Sequence, residues 1–140
     1  MDSPGTRRFS ARHGEFDSIV NFIEAACAGM KDDERLRIIL LVEELFANSV
    51  NHGYGGDSDQ PVWLTLALGA HDCHVVYEDC APPYNPFTAL DSSNMQAEIA
   101  DRPVGGLGII LLTELSSSRK YERRADRNVI ELHVPCSSRH

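Results

Sequence analysis

The chain reads as an α+β domain, with helices gathered on one face of a mixed or antiparallel sheet. Three observations lead there. An amphipathic helical stripe lies near the start, a second apolar segment of helical length follows it, and two pairs of period-two segments read as hairpins. The 140 residues suit one domain spanning 1–140, and a chain of this length hides roughly 68–70% of its unfolded surface without needing staples.

Arg8 to Ala11 forms a short edge strand after a loose start. Phe16, Ile19, Val20, Ile23 and Cys27 then fall at the i, i+3, i+4, i+7 positions of a helix, which Gly29 ends. Asp32, Asp33 and Glu34 supply a cap and a negative first turn for the next helix. That helix runs through Ile38 to Val42 as far as about Asn51, is apolar on most of its circumference, and is expected to lie deep. Gly53, Gly55 and Gly56 close it. Val62, Leu64, Leu66 and Leu68 alternate with Trp63, Thr65 and Ala67, a half-buried strand. Gly69 to Asp72 turns the chain into a second strand, Cys73 to Glu78. Ala81 to Val104, with Pro82, Pro83, Pro86 and Pro103, reads as a long loop of the kind that forms lids or binding loops. A short apolar helix, Ile109 to Leu115, follows. Arg119 to Arg124 and Val129 to Val134 are two more strands, joined at 125–128.

Composition excludes several functions. Hydrophobic residues are 42% and charged residues 24%, ordinary for a folded domain. Thirteen basic residues against 21 acidic give a formal charge of −8, which does not suit a nucleic-acid binder. The longest apolar run, Ile38 to Val42, is a fragment of a membrane span, and the first residues carry no signal-peptide core. Cys27, Cys73, Cys80 and Cys136 show no paired metal-ligand spacing and read as free thiols in a reducing cytoplasm.

Three polar clusters carry chemistry. At 100° per residue, Glu44, Asn48 and Asn51 project within about 60° of one another, with His52 at the helix end. Such a row costs several kcal/mol to bury unless something satisfies it. A self-satisfying patch or an exposed helix end is the plain alternative. A magnesium–phosphate site fits the chemistry better, because Mg²⁺ accepts an amide oxygen beside phosphate oxygens and the nearby carboxylate can take a proton. Asp79, where a strand ends in a tight turn, either shapes that turn or accepts the exocyclic amino group of adenine, a position where guanine shows a carbonyl. Gly105, Gly106 and Gly108 open a helix, where amides and dipole receive an anion. No Walker lysine follows them, and no strand directly precedes them as a dinucleotide fingerprint requires.

In this order the clusters resemble known motifs. Residues 42–54, Val-Glu-Glu-Leu-Phe-Ala-Asn-Ser-Val-Asn-His-Gly-Tyr, are similar to the N-box of the GHKL ATPase superfamily, and more narrowly of the bacterial anti-sigma-factor serine/threonine-protein kinases. Residues 79–86, Asp-Cys-Ala-Pro-Pro-Tyr-Asn-Pro, resemble their adenine box, and 105–109, Gly-Gly-Leu-Gly-Ile, their phosphate box. The resemblance implies a two-layer α/β sandwich of the Bergerat type, with a core over about 9–134 and an ATP lid over about 82–104. It implies ATP and Mg²⁺ as cofactors, with Asn48 ligating the metal, Glu44 as general base and Asp79 holding adenine. Asn51, Ala81 and Arg102 join the nucleotide contacts, and Gly105, Gly106, Leu107 and Gly108 cradle phosphates. Ala81 stands where the adenine box usually has glycine, and Asn128 near where many members place a threonine.

By the same resemblance the expected activity is phosphorylation of a serine on a STAS-domain anti-sigma-factor antagonist, together with sequestration of a sigma factor, commonly as a homodimer. A non-catalytic ATP-binding module that switches protein binding is the alternative. A histidine-kinase catalytic domain fits less well, since no helix bearing a candidate phosphoacceptor precedes Phe16, and a decayed fold would have lost at least one box.

Overall fold

The computed structural model describes residues 5–88 and 114–137. Among these residues one strand is followed by two α-helices and then four strands: β1 (Thr6–Ser10), α1 (Phe16–Ala26), α2 (Asp32–Asn48), β2 (Pro61–Leu68), β3 (Asp72–Asp79), β4 (Ser118–Arg124) and β5 (Arg127–Pro135). The strands form a single sheet in the order β1-β2-β3-β5-β4, antiparallel at each junction. The expected α+β class holds, and the sheet is antiparallel throughout the described residues.

Period-two patterning sets which face of the sheet is covered. Val62, Leu64 and Leu66 of β2 and Cys73, Val75 and Tyr77 of β3 are buried, while the residues between them are partly exposed. Against that face α1 sets Ile19 and Ile23, and α2 sets Ile38, Leu41, Val42, Leu45 and Phe46. Full burial of side chains of this size stabilises by about 1.5–3 kcal/mol each. Leu68, the last residue of β2, is 40% exposed, so the alternation runs one step past the core.

Two expectations for α2 need correction. Its apolar residues do not bury it on all sides, for Leu36 is 52% and Leu40 37% exposed. One stripe faces the sheet and the opposite stripe is open, which composition cannot distinguish. Nor do the acids cap it: the N-cap residue is Lys31, in an extended conformation and with no side-chain cap bond. Asp32, Asp33 and Glu34 do form the negative first turn. Arg35 binds this end together, donating to Asp32 Oδ1 at 2.6 Å, to Glu24 Oε2 of α1 at 2.7 Å and to the Met30 carbonyl at 3.0 Å.

The helix also changes character before Asn51. After Asn48 the chain widens into a π-helical turn, Ser49–Gly53, closed by the Tyr54 N–H on the Ser49 carbonyl at 2.8 Å. Isolated π turns of this kind occur frequently at functional sites. Gly55 and Gly56 then take φ of +75° and +131°, which favours their residue type.

Residues 80–87 have neither helix nor strand, in keeping with the start of the expected loop. The rest of that loop with Arg102, the box Gly105 to Gly108, and the expected helix up to residue 113 lie outside the described residues. The four cysteines are free thiols, with Cys27 Sγ 3.9 Å from Cys73 Sγ. Among the described residues no side-chain group has the makings of a metal-binding cluster, and no helix is long and apolar enough to cross a membrane.

Candidate functional site

The exposed side of α2 forms the wall of a groove of about 610 Å³, whose described lining comes from α2, the π turn, the start of α1 and His13 in the short turn before it. Leu40, Glu44, Asn48 and Asn51 stand along it, as the 100° step predicts, and Phe16, Asp17 and His13 also line the groove. The row is not hidden, contrary to expectation. Glu44 and Asn48 are half-buried and Asn51 and His52 exposed, because the π turn carries the end of the row to the surface. Burial, and secondarily the neighbouring charge of Glu43, raises the Glu44 carboxyl above the usual carboxylate range, while His52 pulls it the other way. The described lining holds Asp17, Glu43 and Glu44 but no lysine or arginine. A polyanion entering this wall therefore needs a cation beside it, and the amide oxygen of Asn48 is the hard, neutral ligand that magnesium accepts.

Asp79 is not part of the groove wall. It ends β3 on the covered face and is only 8% exposed. Three donors converge on it: Ser49 Oγ to Oδ2 at 2.6 Å, Asn128 Nδ2 to Oδ1 at 2.8 Å and the Ala81 N–H to Oδ1 at 3.2 Å. An ionised carboxylate has about four acceptor positions, so one remains for a further donor. Ser49 has a single proton, given to Asp79, so the buried Tyr77 hydroxyl must be the donor in its 2.7 Å contact with Ser49 Oγ. The result is a relay, Tyr77 to Ser49 to Asp79. Burial drives the Tyr77 phenol well above its usual range, which keeps it a donor.

Sheet register brings Asn128 here. Asp79 pairs directly with Asn128, and Asn128 with Arg123. The Asn128 amide donates to Asp79 and to the carbonyls of Ala81 (3.2 Å) and Pro82 (3.1 Å). Its oxygen accepts from the Tyr84 N–H at 3.1 Å and the Tyr121 hydroxyl at 2.6 Å. Asparagine thus supplies an amide donor to Asp79 and fixes the turn as well. Arg123 Nη1 adds a bond to the Ala81 carbonyl at 2.8 Å. Ala81 itself takes an ordinary negative φ, so a methyl group in glycine's usual place carries no backbone strain. Its Cβ is accommodated because Gly53 lies opposite, where an added Cβ would sit 2.7 Å away. Tyr54 completes the frame: its hydroxyl accepts the Cys80 N–H at 2.6 Å and donates to the Pro61 carbonyl at 2.7 Å, and burial pushes its phenol up to about 12.

The structure thus collects Glu44, Asn48 and Asn51 on one wall and sets Asp79, Ala81 and Asn128 in a separate buried knot. Ser49, the residue after Asn48, joins the two. Sequence reasoning does not single out Ser49, Tyr77, Tyr54 or His13 as site residues. Ser49 and Tyr54 stand inside the motif of residues 42–54, but the contacts that give all four their place reach 26 to 38 residues along the chain. The polar Ser49 beside Asn48 was the nearest hint.

The family described as "Histidine kinase-like ATPase domain" matches residues 9–134. Among solved structures, the histidine kinase domain from Erythrobacter litoralis EL346 blue-light activated histidine kinase is similar in fold. Its TM-score is 0.52 at 14% identity, covering 96% of this chain and 70% of that one. For Acinetobacter baumannii histidine kinase AdeS the TM-score is 0.49 at 11% identity, covering 93% and 66%. No curated protein matches the sequence.

Proposed function

The chain belongs to the histidine kinase-like ATPase family, and on that premise we propose that it binds ATP with Mg²⁺ and transfers the terminal phosphoryl group to a serine of a STAS-domain anti-sigma-factor antagonist. The same protein, as a homodimer, sequesters a sigma factor. The observation that carries the catalytic part is Glu44 one helical turn before Asn48 on one groove wall, a partly buried carboxyl beside a hard oxygen ligand. The finer assignment to serine kinases is supported by the ordered resemblance of residues 42–54, 79–86 and 105–109.

The residues present fit the nucleotide and its ion. Asp79, with three internal donors, has acceptor capacity left for the amino group of adenine. Asn48 offers its amide oxygen to Mg²⁺, and Asn51 lies further along the same wall. By resemblance, Gly105 to Gly108 give backbone amides to the phosphates and Arg102 a cation. When bound, the metal neutralises phosphate charge, which is most of what phosphoryl transfer requires beyond positioning. Glu44 orients the partner's serine hydroxyl and takes its proton, and burial makes it a stronger base than an exposed glutamate. Ser49, bonded to Asp79 and adjacent to Asn48, keeps the adenine end and the phosphate end in register.

A second reading, a non-catalytic module whose nucleotide state controls protein binding, draws on the Asp79 knot being complete without Glu44. Glu44 separates the two experimentally. With γ-labelled ATP and the STAS-domain proteins of the source organism, the wild type should label one of them on serine, while Glu44→Gln binds ATP but transfers no label. Unlabelled partners throughout, with ATP bound normally, would leave the regulatory module as the better account.

A further inference from the structure

We propose that His13 is a positioning residue that fixes the amide of Asn51, so that its NH₂ group faces the terminal phosphate and its oxygen is withdrawn from the metal. The inference rests on the nucleotide assignment above. Its basis is a 2.8 Å contact between His13 Nε2 and Asn51 Oδ1. An amide oxygen only accepts, so Nε2 carries the proton. With its oxygen turned to the imidazole, Asn51 has both N–H donors left for a ligand, the polarity an anionic group needs. Asn48 is then the wall amide whose oxygen is left for a divalent ion. Two amides three residues apart on one wall are thereby given opposite roles.

The imidazole is held by a fixed frame. The β1–α1 turn is strapped to the glycine-containing loop that follows the π turn. Ala11 exchanges backbone bonds with Gln60 and Ser58, both at 2.9 Å. The His13 N–H donates to Asp57 Oδ1 at 2.8 Å, and Arg12 donates twice to Asp59 Oδ1, at 2.9 and 3.0 Å. The backbone of residue 13 is therefore placed from both sides, and its side chain is the part of this strap that reaches the groove wall. Both Asn51 and His13 are exposed, so neither contributes materially to the core.

The test is calorimetric titration of Mg-ATP and Mg-ADP into the full chain and three variants. His13→Ala should weaken ATP about three- to tenfold, the worth of one hydrogen bond, and leave ADP nearly unchanged. His13→Gln, whose side-chain nitrogen can replace Nε2 as donor, should recover most of the loss. Asn51→Asp still accepts from His13 but turns a carboxylate toward the phosphate, so it should weaken ATP more than His13→Ala does. Melting temperatures of all four proteins should agree, separating positioning from folding. Normal ATP binding by the wild type with an unaltered ATP-to-ADP ratio in His13→Ala and Asn51→Asp would overturn the positioning role alone. A wild type that binds neither nucleotide would overturn the nucleotide assignment and this inference with it.

Discussion

The two ends of the candidate site are built in opposite ways. Around Asp79 the polar groups are buried and mutually satisfied: three donors on the carboxylate, a tyrosine–serine relay behind it, and Asn128 using both ends of its amide. Along Glu44, Asn48 and Asn51 the wall is open and weighted toward acid, with one of its amides bonded by His13. The first arrangement fixes a buried carboxylate with three internal donors and leaves it acceptor capacity for one more. The second waits for charge to be brought to it. A nucleotide spanning both would meet a rigid base-recognition end and a phosphate end that is completed by its own counter-ion, and specificity and chemistry would fail separately under mutation.

Asn128→Ala should have the largest effect on stability. It strips Asp79 of a donor and takes their Asn128 partner from the Pro82 carbonyl, the Tyr84 N–H and the Tyr121 hydroxyl, costing about 2–4 kcal/mol in urea denaturation. A cost below about 1 kcal/mol would mean that the knot is not cooperative. Ser49→Ala comes next, at about 1–2 kcal/mol, because it removes one Asp79 donor and orphans the Tyr77 hydroxyl. Its sharper signature is that nucleotide affinity falls with it, whereas an equally costly core truncation, Val50→Ala, leaves affinity unchanged.

The open wall should respond to pH instead. The native carboxyl of Glu44 keeps its proton to a higher pH than it does in the unfolded chain. The folded state therefore binds more protons over that interval, and stability falls as pH rises from the ordinary glutamate value through the raised one. Glu44→Gln should flatten that slope in metal-free and nucleotide-free protein, and denaturation across a pH series reads it directly. An unchanged slope would show that burial on this wall does not perturb Glu44. The smallest effect belongs to the loop that delivers Asn128. Ala125 is the one non-glycine residue with positive φ among the described residues, at +56°, in a two-residue hairpin loop. Ala125→Gly should stabilise by about 0.5 kcal/mol without touching either end of the site.

The architecture was legible in the sequence where local spacing dictates it. The stripe from Phe16 to Cys27 and the alternation from Val62 to Leu66 produce elements whatever lies far away, and the 100° step put Glu44, Asn48 and Asn51 on one wall. Depth was not legible, for Leu36 and Leu40 add to an apolar count while facing outward. The knot was legible only at Asp79. Its partners lie 30 and 49 residues away, and strand register and the seating of the helix end bring them to it. His13 and Asn51, 38 residues apart, meet for the same kind of reason.

The most direct test is calorimetry of the purified chain with Mg-ATP and Mg-GTP, repeated on Asp79→Asn. That substitution would put an amide nitrogen or a neutral oxygen where a carboxylate now accepts. Saturable heat with ATP, little with GTP, and at least a roughly tenfold loss of ATP affinity in the variant are expected. Equal binding of both purines, or no heat with either on folded protein, would contradict a site whose selectivity is set by Asp79.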